Sequence, residues 1–189
     1  MLVYLHGFRS SPQSNKARRL KAHMEGRGLG HLFWCRQLPP SPEDAIALAE
    51  RAIETAATPV TVVGSSLGGY YATWLAERHR LRAVLVNPAV VAHLSLAEFV
   101  GPQTNLYTGE TFDFRPEYIE ALRAIEVSRI SRPQDCLLLA ETGDEVLDYR
   151  QAVAKYSGAR QIVLEGGDHS FTRWDDYLDT VLEFAGVLP

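Results

Sequence analysis

Between Val60 and Leu75 an apolar strand-like run, Val60-Thr61-Val62-Val63, stops at Gly64-Ser65-Ser66-Leu67-Gly68-Gly69. It restarts at once with Tyr70, Tyr71, Trp74 and Leu75 at helical spacing. There is almost no room for a loop. The chain must leave a strand and enter a helix within a few residues, so the two elements cross closely and the backbone between them is strained. Strain of this kind is kept where it has a use. Glycine two places before and two places after Ser66 removes the side chains that would crowd the crossing. The same geometry lifts the Ser66 hydroxyl clear of the strand's carboxyl end. It also aims a helix N-terminus, which favours negative charge, at the same point. Ser65 does not qualify, because Val63 stands where its preceding glycine would be needed.

The rest of the chain repeats the strand–helix rhythm. Apolar runs at Leu2–Leu5, Leu32–Cys35, Val60–Val63, Ala83–Val86, Leu137–Ala140 and Ile162–Leu164 are continuous rather than alternating, as expected for strands covered on both faces. Amphipathic stretches between them predict helices near Ser14–Gly26, from Ser41, and near Leu67–Arg78, Asp148–Tyr156 and Thr172–Phe184. At the second of these Ser41 caps, Pro42 suits the first helical position, and Ala45, Ile46, Ala49 and Ala52 share one face. Strand and helix in alternation predict an α/β class with a mainly parallel sheet and helices on both faces. Residues 88–132 break the rhythm. They hold Phe99, Tyr107, Phe112, Phe114 and Tyr118 among Gly, Pro, Thr and Asn, with one helix at Pro116–Ile125 and no clear strand. They are expected to form a small cap within a single domain spanning 1–189.

Composition narrows the classes. A length of 189 residues with 46% apolar residues suits one soluble globular domain. A net charge of −4, with no basic block, argues against nucleic acid as a partner. No apolar run is long enough for a membrane span, and the N-terminus carries no secretory pattern. Cys35 and Cys136, the two cysteines, have no zinc or C-x-x-C spacing and read as packing residues in a reducing compartment. A cytoplasmic protein without a metal is the expectation.

Gly64-x-Ser66-x-Gly68 between strand and helix matches the nucleophile elbow of α/β-hydrolases. A phosphate loop would need lysine after Gly69, where Tyr70 stands, and no strand–helix turn carries a dinucleotide fingerprint. The first strand ends in His6-Gly7-Phe8. In that fold class a backbone N–H after such a His-Gly supplies half of an oxyanion hole, and the N–H after the nucleophile supplies the other half. Phe8 and Leu67 are therefore the candidate donors. His6 reads as a structural residue beneath the loop, and Leu5 replaces the arginine that a histidine phosphatase requires. Gly166-Gly167-Asp168-His169 follows the last strand and makes His169 the candidate general base. Thr142-Gly143-Asp144 follows the penultimate strand and makes Asp144 the candidate acid, with Asp148 the competitor better suited to capping a helix. Ser66, Asp144, His169 is the α/β-hydrolase order. Arg9 either faces solvent or holds a substrate carboxylate or phosphate.

The strings YLHGFRSSPQSNKA, QLPPSPEDA, VGSSLGGYYATWLA, LVNPAV, TGDEVLDY and GGDHSF resemble the small bacterial α/β-hydrolase esterases of the YqiA type, over nearly the whole chain. The resemblance implies a compact hydrolase with a triad of Ser66, Asp144 and His169, acting on carboxylic esters or acyl thioesters, including acyl-CoA. It also implies a sheet that starts at the third strand of larger relatives, with about six strands in the order 2-1-3-4-5-6.

The expected activity is that of a serine carboxylesterase or thioesterase working through an acyl-enzyme, with a small-molecule acyl substrate and no cofactor. Phe99, Tyr107, Phe112 and Phe114 are candidate walls of the acyl pocket, although a packed cap would need aromatics anyway. The alternative from another class is a non-catalytic small-molecule-binding protein on the same fold. Such a protein usually lacks a triad member.

Overall fold

The central apolar runs divide their side chains between two hydrophobic layers, one on either side of a single sheet. Val3, Val62, Leu85 and Leu138 enter one layer, and their neighbours Leu2, Val63, Val84 and Leu137 enter the other. That division is why the runs do not alternate in polarity. The computed structural model describes residues 1–188.

In chain order the elements are β1 (Leu2–Leu5), α1 (Asn15–Gly26), β2 (Phe33–Trp34), α2 (Pro42–Glu54), β3 (Thr61–Ser65), α3 (Leu67–His79), β4 (Arg82–Val86), α4 (Ala92–Ser95), β5 (Gly101–Thr104), β6 (Thr111–Phe114), α5 (Pro116–Ala124), β7 (Cys136–Glu141), α6 (Tyr149–Lys155), β8 (Arg160–Leu164) and α7 (Leu178–Phe184). Six strands form the main sheet in the order β2-β1-β3-β4-β7-β8, all parallel. Counted along the chain, the sheet's own strands run 2-1-3-4-5-6. The first layer lies under α2, α3, α5 and α6, and the second under α1 and α7. Ser41 caps α2 by accepting a hydrogen bond from the Asp44 N–H, with Pro42 at the first position.

The structure corrects two expectations. Residues 88–132 do contain strands: β5 and β6 form an antiparallel hairpin separate from the main sheet. Its strands are four residues each and carry Gly101, Pro102 and Asp113, so neither apolar length nor β-propensity announced them. The Thr172–Phe184 stretch is not one helix. A 3₁₀ turn at Trp174–Tyr177 precedes α7.

Parallel order places the carboxyl ends of β1, β3, β4, β7 and β8 along one edge, where the turns that carry polar residues gather. At the centre α3 presses against β1 and β3. A Cβ added to Gly64 would lie 2.1 Å from the Gly68 carbonyl oxygen, and one added to Gly68 would lie 1.9 Å from the Leu5 carbonyl oxygen. Both obstacles are main chain and cannot swing away. Gly68→Ala is therefore expected to destabilise the protein by more than about 4 kcal/mol, whereas Gly26→Ala, at an open helix end, should change stability by no more than about 1 kcal/mol. Urea unfolding of the two variants measures the contrast.

Candidate active site

Ser66 sits at the junction of β3 and α3 with φ 55° and ψ −122°. This is a backbone region that a residue with a side chain seldom occupies. Its N–H donates to the Val86 carbonyl, and its carbonyl accepts from Gly69, Tyr70 and Ala89. The strained unit is thus pinned to β4 on one side and to its own helix on the other.

Three loops meet at its hydroxyl. His169 Nε2 lies 3.1 Å from Ser66 Oγ, and His169 Nδ1 lies 2.8 Å from Asp144 Oδ2. The Asp144 side chain is 2% exposed, and its other oxygen accepts from the N–H groups of Val146 and Leu147 at 2.9 and 2.8 Å. One carboxylate oxygen is therefore fixed by its own turn and the other is left for the imidazole. Asp148 is not at this point. It caps α6, accepting from the backbone and side chain of Arg150. Asp168, adjacent to His169 in sequence, spends its carboxylate on the Ser170 N–H.

The Phe8 and Leu67 N–H groups donate to no acceptor among the described residues. Both residues line a cavity of about 340 Å³. Gly7 lies between this cavity and the serine: a Cβ there would stand 3.2 Å from Ser66 Cβ and 3.7 Å from Oγ. The remaining wall combines Leu38, Pro39, Pro40, Tyr71 and Phe112 with Arg9, Gln37, Asn105, Glu110 and Thr111. Of the four aromatics expected to wall a pocket, only Phe112 lines this cavity. Phe114 is buried and stacks edge-on against Phe8 at 4.9 Å, and Phe99 also packs on Phe8 at 5.7 Å. Tyr107 is half exposed near the hairpin tip. Phe99 and Phe114 thus pack on Phe8 and hold the residues that follow β1 against the insertion. Arg9 lines the cavity with a positive φ, and its Nε–H donates to the Thr104 carbonyl at 3.0 Å.

His6 does lie beneath the loop. Its Nδ1–H donates to the Gly7 carbonyl, and its Nε2 accepts from the Leu38 N–H at 3.1 Å. Burial pushes its pKa down to about 4 against the opposing pull of the Gly7 carbonyl, so the ring is neutral at ordinary pH and ties the Gln37–Pro40 segment to β1. Leu38, Pro39, Pro40 and Tyr71 line the cavity without a sequence signal that marks them as pocket residues. The QLPP string was visible only as a family likeness, and Tyr71 was indistinguishable from a core helix residue.

A third carboxylate stands beside the site. Glu141 is fully buried and accepts from Arg173 Nε at 2.8 Å and from the Asp168 and Thr172 N–H groups at 2.9 and 3.2 Å. Burial alone would raise its carboxyl, but the Arg173 guanidinium and the two N–H groups outweigh that effect and hold it below the usual range. Among the described residues no group of three or more His, Cys, Asp and Glu side chains is placed to hold a metal ion, and no helix is long and apolar enough to cross a membrane.

The family model described as "Uncharacterised protein family (UPF0227)" matches residues 1–186. Among solved structures, the monoacylglycerol lipase of Paleococcus ferrophilus superposes with TM-score 0.70 at 16% identity, covering 97% of this chain and 93% of that one. Est1E from Butyrivibrio proteoclasticus superposes with TM-score 0.67 at 14% identity, covering 97% and 85%. The mouse alpha/beta hydrolase domain-containing protein 10 gives 0.67 at 16%, covering 96% and 89%. At these identities the likeness establishes the α/β-hydrolase fold.

The low pKa of His6 has a consequence for stability. An unfolded histidine titrates near 6.5, so between about pH 6.5 and 4 the unfolded chain binds a proton that folded His6 refuses. The contribution is complete above pH 6.5 and is lost as pH falls toward 4. Between pH 7 and 4.5 the wild type is expected to lose about 2 kcal/mol more stability than His6→Gln, measured by denaturant unfolding at each pH.

Proposed function

The chain belongs to the YqiA-like UPF0227 family, and from that premise we propose that it is a serine hydrolase cleaving carboxylic esters or acyl thioesters, acyl-CoA among them, through an acyl-enzyme. The observation that carries the reading is the continuous chain of contacts from Ser66 through His169 to Asp144, at 3.1 and 2.8 Å.

In this mechanism Ser66 Oγ attacks the acyl carbon as His169 Nε2 takes its proton. Asp144 receives the Nδ1–H, fixes the tautomer and stabilises the imidazolium. The carbonyl oxygen becomes an oxyanion between the Phe8 and Leu67 N–H groups, where one such donor is worth roughly 3–4 kcal/mol of transition-state stabilisation. The tetrahedral intermediate collapses with loss of the alcohol or thiol, which leaves with the proton from His169. Water then gives a proton to the same nitrogen, attacks the acyl-enzyme and frees the acid, and the proton returns to Ser66.

The cavity beside the two N–H groups is the proposed acyl or leaving-group pocket, with the 88–132 insertion as the cap that walls it through Phe112, Thr111 and Asn105. Phe99 and Phe114 support Phe8 and Tyr107 lies at the surface, so none of the three walls the cavity. Arg9 supplies the cavity's one fixed cation among the described residues and is placed to meet an anionic part of the substrate. A neighbour described as a monoacylglycerol lipase is in keeping with ester chemistry.

Ser66→Ala is expected to fold and melt like the wild type while kcat on p-nitrophenyl and acyl-CoA substrates falls by about 10⁴-fold or more. Asp144→Asn should lower kcat by about 10³–10⁴-fold, and Asp148→Asn by less than about threefold. Full activity in Ser66→Ala removes the mechanism. A larger loss in Asp148→Asn than in Asp144→Asn moves the acid.

A further inference from the structure

The His169 loop leaves β8, which is paired on one side only. It contains two successive left-handed glycines, Gly166 and Gly167, followed by left-handed Phe171. Such a segment has high conformational freedom when unrestrained, yet its ring must stay within hydrogen-bonding reach of both Ser66 and Asp144. One side chain holds it from the centre of the sheet. Asn87, immediately after β4, donates through Nδ2 to two consecutive carbonyls of the loop, Asp168 at 3.0 Å and His169 at 3.2 Å. Its Oδ1 accepts the N–H of Glu141 at the end of β7, at 3.0 Å. Both N–H donors and the oxygen of one buried amide are thus engaged in joining the acid strand to the base loop. Asn87 has φ 40°, a conformation asparagine tolerates better than most residues. Glu141 then takes the Asp168 and Thr172 N–H groups from below. Lys16, from α1, donates to the Ser170 carbonyl at 2.7 Å.

We propose that Asn87 is a positioning residue of the hydrolase: it fixes the main chain at 168–169 so that the His169 ring bridges Ser66 and Asp144. The role explains the Asn-Pro-Ala string. The asparagine holds the base loop, Pro88 closes on Gly69, and the Ala89 N–H binds the Ser66 carbonyl. The inference rests on the proposed serine-hydrolase reading, in which His169 is the base.

The test is a series at residue 87. Asn87→Gly keeps the left-handed backbone free of strain and removes only the amide. Asn87→Asp keeps the acceptor for Glu141 N–H but sets a carboxylate oxygen against two carbonyls. Misplacement of a catalytic group by about 1 Å costs on the order of 10²-fold. Measured well below each variant's melting temperature, kcat is expected to fall about 10–100-fold in Asn87→Gly and further in Asn87→Asp, with KM within about twofold of wild type. Lys16→Met, which removes one hydrogen bond from a partly exposed side chain to the same loop and keeps the apolar stem so that folding is retained, is expected to lower kcat by about threefold or more, again without a change in KM. Undiminished kcat in a folded Asn87→Gly, or in Lys16→Met should the residue-87 variants not fold, overturns the inference. A fluorophosphonate separates this failure from that of the underlying reading. Wild-type protein that is not labelled at Ser66 overturns both; wild-type protein that is labelled, beside a fully active folded Asn87→Gly, overturns the positioning role alone.

Discussion

The close contact of α3 with the ends of β1 and β3 is the constraint on which the rest of the molecule depends. The main chain of Gly68 touches that of Leu5, and the main chain of Gly64 touches that of Gly68, at separations that leave no volume for a methyl group. Ser66 is caught between them at φ 55°. A conformation of this type costs of order 1–3 kcal/mol. It is offset by the burial of Tyr70, Tyr71, Ala72 and Leu75 on the helix that follows, where a single large apolar side chain contributes about 1.5–3 kcal/mol. The turn is tight because the helix is packed, and the hydroxyl projects because the turn is tight.

The partners of that hydroxyl are held differently. Asp144 is fixed locally, by the N–H groups of its own turn. His169 is fixed by other segments: Asn87 just after β4, Glu141 on β7 and Lys16 on α1 hold its loop, and Glu145 accepts its own N–H. The difference follows from topology. Asp144 follows a strand paired on both sides, whereas His169 follows the edge strand, whose outgoing chain is held on one side only, by Thr142 and Gly143 after β7. A buried, fully hydrogen-bonded polar network supplies the missing restraint. Glu141 is tolerable in the interior because Arg173 and two N–H groups satisfy it.

What was legible in the sequence had a local signature. Six apolar runs marked the sheet strands; in the central β1, β3, β4 and β7 burial on both faces demands apolar residues at nearly every position. Gly64 and Gly68 marked the crossing because no other residue fits. Ser66, Asp144 and His169 could be picked out because each stands just past a strand's carboxyl end, and the structure brings these three together. What was not legible depended on contacts between distant segments. The β5–β6 hairpin has two short strands, and what fixes it are aromatic contacts to Phe8 and hydrogen bonds to Arg9 and Ser10, far away in sequence. The cavity wall could not be read from aromatic content: Phe114 serves as packing, while Leu38, Pro39, Pro40 and Tyr71 line the space. Asn87 stands out in the sequence only as part of a family string, since a hydrogen bond to a loop 81 residues away leaves no local pattern.

The central claim is that a strained turn presents the Ser66 hydroxyl to a base on one side and to two unpaired N–H groups on the other. A crystal structure of the protein after reaction with a fluorophosphonate tests it most directly. The account predicts phosphorus bonded to Ser66 Oγ, with the phosphoryl oxygen about 3 Å from both the Phe8 and the Leu67 nitrogen. An adduct on another residue, or a phosphoryl oxygen turned away from both N–H groups, would contradict it.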